Sequence, residues 1–232
     1  MHPLWIRLRE RGRSIILVAQ GHAGLSPIQA ICRDIERQGF PLATACALEV
    51  FGGDGSLHTR YYASRVRSLE VWEHDPRQAD ALHRNLPNAK IKIVDSYAEI
   101  DRTAERFDFV WVDNPEMMHG PYCEHFDLLP RVFRILADQA VIVFVVIPRL
   151  DAPMERRYPY LWDPRFNDIT VHLARRARFY GTNTPEHVPL PRMLSVYMRL
   201  AQEQGYEILW TMTRHISFFG YLALGMRRCE TT

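Results

Sequence analysis

The sequence predicts an α/β fold built on a doubly wound, mostly parallel sheet, and three observations support this class. Five short segments rich in Val, Ile and aromatic residues are hydrophobic nearly throughout, as are strands buried on both faces. Helical segments separate these strands, and such alternation is typical of parallel sheets. The chain has 232 residues, 47% of them hydrophobic, which suffices to bury the core of one domain over residues 1–232.

The first predicted element is a helix that begins after Ser26. Ser26 suits the N-cap position, Pro27 the first turn, and Gln29 the third helical position, which together form the pattern of a capping box. Apolar residues then recur at helical spacing, and Gly39 ends the helix. We expect residues 1–46 to form a helical lead-in to the first strand.

The predicted strands follow this helix. They are, in chain order, "ALEVF" (47–51), "SLEVWEHD" (68–75), "KIKIVDS" (90–96), "FDFVWVDN" (107–114) and "AVIVFVVIP" (140–148). Three helices are predicted between them, at about residues 57–66, 77–85 and 122–138, and Pro130 predicts a break in the last. A helix at about 193–204 precedes "YEILWTMTRH" and "FFGYLALGMRR", two strands close enough to pair as an antiparallel edge.

Residues 149–192 interrupt this alternation with prolines, aromatic residues and arginines, and their periodicity is weak. We interpret them as an insertion that lies over the carboxyl edge of the sheet. Aromatic rings can stack on a substrate, and arginines can hold an anion, so the residues predicted to bind substrate are Arg156, Arg157, Tyr158 and Tyr160. The alternative, that the aromatic residues only pack the insertion, stays open.

The turn after the first strand contains Gly52, Gly53 and Gly55. In doubly wound sheets, ligands bind at the carboxyl ends of the strands, near the point where the strand order reverses. Glycines let a ligand approach the backbone closely, and a helix after the turn would offer free N–H groups to an anion. A dinucleotide prefers G-x-G-x-x-G, and His58 stands here in place of the third glycine, whereas S-adenosylmethionine has no phosphate to hold.

Carboxylates stand at the ends of four successive predicted strands, at Glu49, Glu73, Asp95 and Asp113. Glu73 has the spacing of an acid that accepts the ribose hydroxyls of a bound nucleoside. Asp95 suits an adenine amino group, with a backbone N–H nearby, at Ser96, for the ring. Asp113 is expected near the reacting centre. Acids that only cap helices are the alternative reading of these positions.

These motifs resemble the class I S-adenosylmethionine-dependent methyltransferases over roughly residues 25–148. The resemblance is carried by "LEVFGGDG", in which Phe51 replaces the family's first glycine, and by "FDFVWVD". It implies a Rossmann-like seven-stranded sheet with an antiparallel C-terminal edge strand and S-adenosylmethionine as cofactor. The cofactor-binding residues that it implies are Glu49, Gly52, Gly53, Gly55, Glu73, Asp95, Ser96 and Asp113.

Two departures from the family bear on the acceptor. Enzymes that methylate exocyclic amines of nucleic acids carry Asn/Asp-Pro-Pro-aromatic after the fourth strand, and this chain has "DNPEM" (113–117). Metal-dependent O-methyltransferases place Asp-Asn after the fifth strand, and this chain has "IPRLDAP" (147–153), so no metal site is predicted. We expect methyl transfer to a hydroxyl or similar nucleophile of a small molecule. An RNA methyltransferase and a non-catalytic binding protein of the same fold are the alternatives.

An oxygen nucleophile usually needs a general base. Asp113 and His119 are the predicted catalytic residues, and His58 is a further candidate. The longest apolar run, residues 140–147, is too short to span a bilayer, so no membrane partner is expected. The four cysteines are scattered and the N-terminus lacks an apolar stretch of signal-peptide length, which indicates a cytoplasmic protein. A homodimer and a nucleic-acid partner stay open.

Overall fold

The structure, a computed structural model, describes residues 26–113, 118–119, 122–150, 152–157, 168–216 and 219–230. Its strands are β1 Cys46–Val50, β2 Ser68–Glu73, β3 Lys90–Ile93, β4 Phe107–Val112, β5 Met118–His119, β6 Tyr122–Cys123, β7 Leu136–Val146, β8 Tyr206–Ile216 and β9 Phe219–Arg228. Its helices are α1 Pro27–Arg37, α2 Ala79–Asn85, α3 Ser96–Arg102, α4 Glu124–Leu128, α5 Ala152–Arg157, α6 Ile169–Tyr180 and α7 Leu190–Glu203. No helix in these ranges is both long and apolar enough to cross a membrane.

Seven strands form one sheet in the order β3-β2-β1-β4-β7-β9-β8, and β5 pairs with β6 in a small hairpin. The first five strands of this order are parallel, whereas β9 runs antiparallel to both of its neighbours. The predicted seven-stranded, mostly parallel sheet is therefore confirmed, and its antiparallel C-terminal strand lies one position in from the edge. The strand order reverses between β1 and β4, which is where doubly wound sheets bind ligands.

Helices cover both faces of the sheet, and alternate residues of the central strands enter two different cores. On the first face, Phe109 and Trp111 of β4 pack with α1, which contributes Ile31 and Ile35. On the second face, the alternate residues of β4 pack with residues of α7. Burial on both sides explains why these strands are hydrophobic nearly throughout.

The N-terminal cap of α1 forms as predicted. The Ser26 hydroxyl accepts the Gln29 N–H at 3.1 Å, and the Gln29 side-chain oxygen accepts the Ser26 N–H at 2.9 Å. Of the predicted lead-in, residues 1–25 lie outside the described residues.

Two predicted helices are wrong in part. The segment after the glycine turn, predicted as a helix over 57–66, consists of two short 3-10 turns, Thr59–Tyr61 and Ala63–Arg65. Its Thr and Tyr residues have low helix propensity, and Tyr62 is buried against the rings of β4. The helix predicted over 122–138 breaks at Pro130, as expected, but only α4 is α-helical there.

Candidate functional site at the carboxyl edge of the sheet

The three positions of the turn after β1 that hold glycine need this residue for different physical reasons. A Cβ atom at Gly52 would lie 2.2 Å from Cγ1 of Val71, and one at Gly55 would lie 2.7 Å from Cδ1 of Leu86. These two glycines let the turn pack closely on the neighbouring elements. Gly53 has a φ of 56°, and no heavy atom of the described residues lies within 4 Å of its Cβ position, so this side is open to a ligand.

The anion site expected from a helix N-terminus after this turn is absent from the described segment, because 3-10 turns replace the helix. Besides Gly53 and Gly55, the turn contains a left-handed residue that is not glycine, Phe51, with a φ of 65°. A side chain rarely adopts this conformation, and such strain concentrates at functional sites. The Phe51 ring lies 5.9 Å from that of Tyr97, which stacks on Tyr122 at 4.0 Å.

Glu73, at the end of β2, connects that strand to the glycine turn. Its carboxylate accepts the Gly53 N–H at 2.8 Å and the Asp75 N–H at 2.8 Å, and the side chain is buried. Each carboxylate oxygen has two lone pairs, so these bonds leave acceptor capacity for ribose hydroxyls. Glu73 therefore lies beside the open glycine.

Asp95 and Ser96 lie at the start of α3. Asp95 is the N-cap of this helix, and its Oδ1 atom accepts the Tyr97 N–H at 2.8 Å. Asp95 is exposed and Ser96 is buried. Asp95 thus caps a helix, which is the alternative role expected for the acids at the strand ends. Only one of its carboxylate oxygens is used for the cap.

Glu49 lies under the turn and is fully buried. Among the described residues, neither of its carboxylate oxygens has a hydrogen-bond partner. Burial raises the pKa of Glu49 well above its usual value, and the neighbouring charge of Asp113 raises this pKa further. Its cross-strand partner on β4 is Trp111.

Asp113, directly after β4, contacts His58 from the segment that follows the glycine turn. The contact joins Oδ1 of Asp113 to Nδ1 of His58, and both side chains are mostly buried. The other ring nitrogen of His58 lies 3.1 Å from the Tyr221 hydroxyl of β9, and the ring stacks on Trp111. Asp113, His58 and Tyr221 therefore form a continuous polar chain at the carboxyl edge.

Sequence reasoning gave Asp113 as the base and His58 only as one further candidate, and it missed Tyr221. No local signal connects these residues, because Tyr221 lies on the last strand. The side chain of His119, the other predicted catalytic residue, lies outside the described residues, although its backbone belongs to β5.

The predicted substrate residues are described only in part. Arg156 is exposed on α5, whereas the Arg157 side chain, Tyr158 and Tyr160 lie outside the described residues. Other arginines of the insertion have structural partners. Arg175 forms a two-bond pair with Asp127, and the buried Arg176 donates to the carbonyl oxygen of Ile147, after β7, at 2.6 Å.

No metal centre is formed by the described side chains, since no three His, Cys, Asp or Glu groups among them are arranged to hold an ion. The carboxyl edge brings together an open glycine, acids at the ends of four strands, and a histidine–carboxylate pair.

No family model and no curated protein matches the sequence. Solved structures do match over most of its length. Magnesium protoporphyrin IX methyltransferase from Synechocystis PCC 6803, with bound S-adenosylhomocysteine, is 10% identical, with a TM-score of 0.54 over 87% of this chain and 81% of its own. N-methyltransferase NodS from Bradyrhizobium japonicum WM9, also with S-adenosylhomocysteine, is 14% identical, with a TM-score of 0.52 over 88% and 89%.

A protein from Pyrococcus horikoshii, classed provisionally as an RNA methyltransferase, is 13% identical, with a TM-score of 0.50 over 88% of this chain and 83% of its own. At such identities the likeness establishes the fold alone. Together with the strand order, it identifies the fold of this chain as that of the class I S-adenosylmethionine-dependent methyltransferases.

Proposed function

We propose that the protein is an S-adenosylmethionine-dependent methyltransferase that acts on a hydroxyl or similar nucleophile of a small molecule. The observation that carries this proposal is the contact between Asp113 and His58, which lies at the same sheet edge as the open side of Gly53. A methyl donor and a proton acceptor are the two components that O-methylation needs at one place.

The residues around the glycine turn fit the cofactor. Gly53 leaves space for the ligand, Glu73 has acceptor capacity for the ribose hydroxyls, and Glu49 presents buried oxygens without a partner among the described residues. Asp95 and Ser96 are proposed to contact the adenine. Two structural neighbours hold S-adenosylhomocysteine, the product of the same cofactor, which supports this assignment.

The bound cofactor supplies a methyl group that its sulfonium already activates. The chain must then orient the acceptor and remove one proton from it. Asp113 is the proposed acceptor of that proton, through the carboxylate oxygen that does not contact His58. His58 faces Asp113 through Nδ1 and the Tyr221 hydroxyl through Nε2, and these two contacts are proposed to hold the Asp113 carboxylate in place.

RNA is the alternative acceptor, and the Pyrococcus horikoshii neighbour favours it. Against it, the described insertion uses Arg175 and Arg176 for internal contacts, and these guanidinium groups are not available to phosphates. A non-catalytic binding protein is the third possibility, and the unusual His58–Asp113 pair argues against it.

Calorimetry with S-adenosylmethionine and S-adenosylhomocysteine tests the cofactor first. The protein is then incubated with cofactor that carries a labelled methyl group, and with either a small-molecule extract or total RNA. We expect both ligands to bind and the label to enter the small-molecule fraction. Label in RNA would favour the alternative acceptor, especially if the RNA also binds the protein with an affinity that falls as the salt concentration rises. Binding without transfer to either fraction would favour a non-catalytic role, and no binding would contradict the proposal.

A further inference from the structure

A group of buried polar atoms without partners surrounds Glu49. Among the described residues, the two carboxylate oxygens of Glu49, the Tyr62 hydroxyl and the Trp111 indole nitrogen have no hydrogen bond of good geometry, and the Thr59 hydroxyl is close enough to Glu49 to interact with it. These side chains are neighbours, because Glu49 pairs with Trp111 across β1 and β4, and the Tyr62 ring stacks on Trp111. Buried polar groups in proteins are nearly always hydrogen-bonded, so this group indicates a place that a bound molecule completes.

Within the described part of the chain, no cation contributes to the pKa of Glu49. Asp113 is the acid whose charge raises the pKa of Glu49, and its own carboxylate contacts His58. From α1, the Cys32 thiol faces the same region, and burial raises its pKa to about 12, so it is neutral there. The nearby Thr59 hydroxyl opposes the rise in the pKa of Glu49, but burial and Asp113 outweigh it. Burial and the charge of Asp113 therefore both favour the neutral acid of Glu49 over its carboxylate.

We propose that Glu49 releases its proton when the ammonium group of S-adenosylmethionine enters this site, so that cofactor binding is coupled to proton release. This inference rests on the proposed function, and it concerns how the site recognises charge. The carboxylic acid of the free protein becomes a carboxylate beside the ligand's positive charge, and the proton leaves to solvent. The site therefore becomes negatively charged when it binds a cationic ligand and stays neutral when it binds a neutral nucleoside.

The sign of the pH dependence follows from linkage. A cation beside Glu49 lowers its pKa in the complex, while the pKa in the free protein stays raised. Between these two values, the free protein holds one proton more than the complex. Affinity for the cationic cofactor therefore rises with pH in this window, by at most about tenfold per pH unit. The neutral nucleoside 5′-methylthioadenosine lacks the ammonium group, so its affinity should not depend on pH in this window.

Titration calorimetry at one pH in two buffers of different ionisation enthalpy counts the protons released. We expect a release approaching one proton for S-adenosylmethionine and none for 5′-methylthioadenosine. Glu49→Gln, which keeps the shape of the neutral acid, should abolish the release. The matched control is Glu70→Gln, a buried acid on β2 whose charge is paired with Lys90 and Lys92, and it should leave the release unchanged.

The outcomes separate this inference from the proposed function. Binding of S-adenosylmethionine by the unaltered protein without proton release would overturn the inference and leave the function in place. Release that persists in Glu49→Gln would belong to the His58–Asp113 pair and would also overturn it. Should Glu49→Gln fail to fold, the comparison of the two ligands in the unaltered protein still decides. A protein that does not bind S-adenosylmethionine contradicts the function itself, and the inference with it.

Discussion

Asp113 contacts His58 through Oδ1 and Nδ1, and this contact joins the end of β4 to the segment that follows the glycine turn of β1. Neither strand forms this pair alone. Because β1 and β4 are adjacent parallel strands at the point where the strand order reverses, their carboxyl ends bring the Asp113 carboxylate and the glycine turn to one place.

His58→Gln should lower methyl transfer to a hydroxyl acceptor because it removes the group that positions Asp113, and the upper bound is about 10²–10⁴-fold, the usual worth of the general base itself. Cofactor affinity should stay within a few-fold, because His58 is not among the residues proposed to bind the cofactor. Initial rates across a range of pH and calorimetry with S-adenosylmethionine measure the two effects. His83→Gln, at an exposed histidine of α2, is the control. An unchanged rate and pH profile in folded His58→Gln would contradict the assignment.

Glu73→Ala should weaken S-adenosylmethionine binding by about 1.5–3 kcal/mol, the range for hydrogen bonds to a charged group. The same variant also releases the Gly53 N–H that Glu73 accepts, so thermal unfolding must show that the fold survives. Asp75→Ala is a suitable comparison, since the Asp75 carboxylate caps a surface turn and pairs with the exposed Arg77. Equal affinity in Glu73→Ala and Asp75→Ala would remove Glu73 from the site.

Gly53→Val should abolish cofactor binding, because its side chain fills the open space and its φ of 56° disfavours a β-branched residue. Gly39→Val is a matched control, with a φ of 88° and equally open space, but at the end of α1. Both variants should lose similar stability. Thermal shift on addition of S-adenosylmethionine should persist in Gly39→Val and disappear in Gly53→Val. A shift that survives in both would place the ligand elsewhere.

Much of the fold was predictable because its signals are local. The capping box of α1 depends on residues three positions apart, and the strands that the structure confirms are continuous apolar runs. The glycine turn was likewise visible in the sequence. The reasons for Gly52 and Gly55 were not, because they depend on Val71 and Leu86 from other elements.

Other features of the site could not be predicted, because they depend on tertiary contacts that leave no local pattern in the sequence. The polar chain of Asp113, His58 and Tyr221 joins three distant parts of the sequence. The segment after the turn has the length of a helix, but burial of Tyr62 against Trp111 holds it in 3-10 turns. The conformation of Phe51 was also unpredictable, because a positive φ at a bulky residue goes against its own preference.

The insertion remains predicted to form the acceptor pocket. Replacing Arg156 and Arg157 together by alanine should leave cofactor affinity within a few-fold and lower methyl transfer once the acceptor is known. Arg178→Ala, at an exposed arginine of α6, is the control for loss of surface charge. The opposing result is a double variant with intact turnover per folded molecule but lower stability or an altered oligomeric state. That result would assign these arginines to packing.

His172, on α6, sets a limit on stability in acid. Its side chain is fully buried beside Phe126, and neither ring nitrogen has a hydrogen-bond partner among the described residues. The pKa of His172 is lowered from 6.5 to about 4, mainly by burial and to a smaller extent by the neighbouring His125. The unfolded chain therefore binds more protons than the folded one between these two values.

The free energy of unfolding should consequently fall as the pH drops from 6.5 towards 4, by up to about 3 kcal/mol from this residue. His172→Leu fills the same apolar site without a titrating group, so its stability should decline less over this window. Denaturant unfolding at several pH values measures the difference, with the exposed His187→Leu as control. The difference between His172→Leu and the unaltered protein should widen with acidity. If the free energy of unfolding falls equally with pH in both proteins, His172 is not the group that makes the protein less stable in acid.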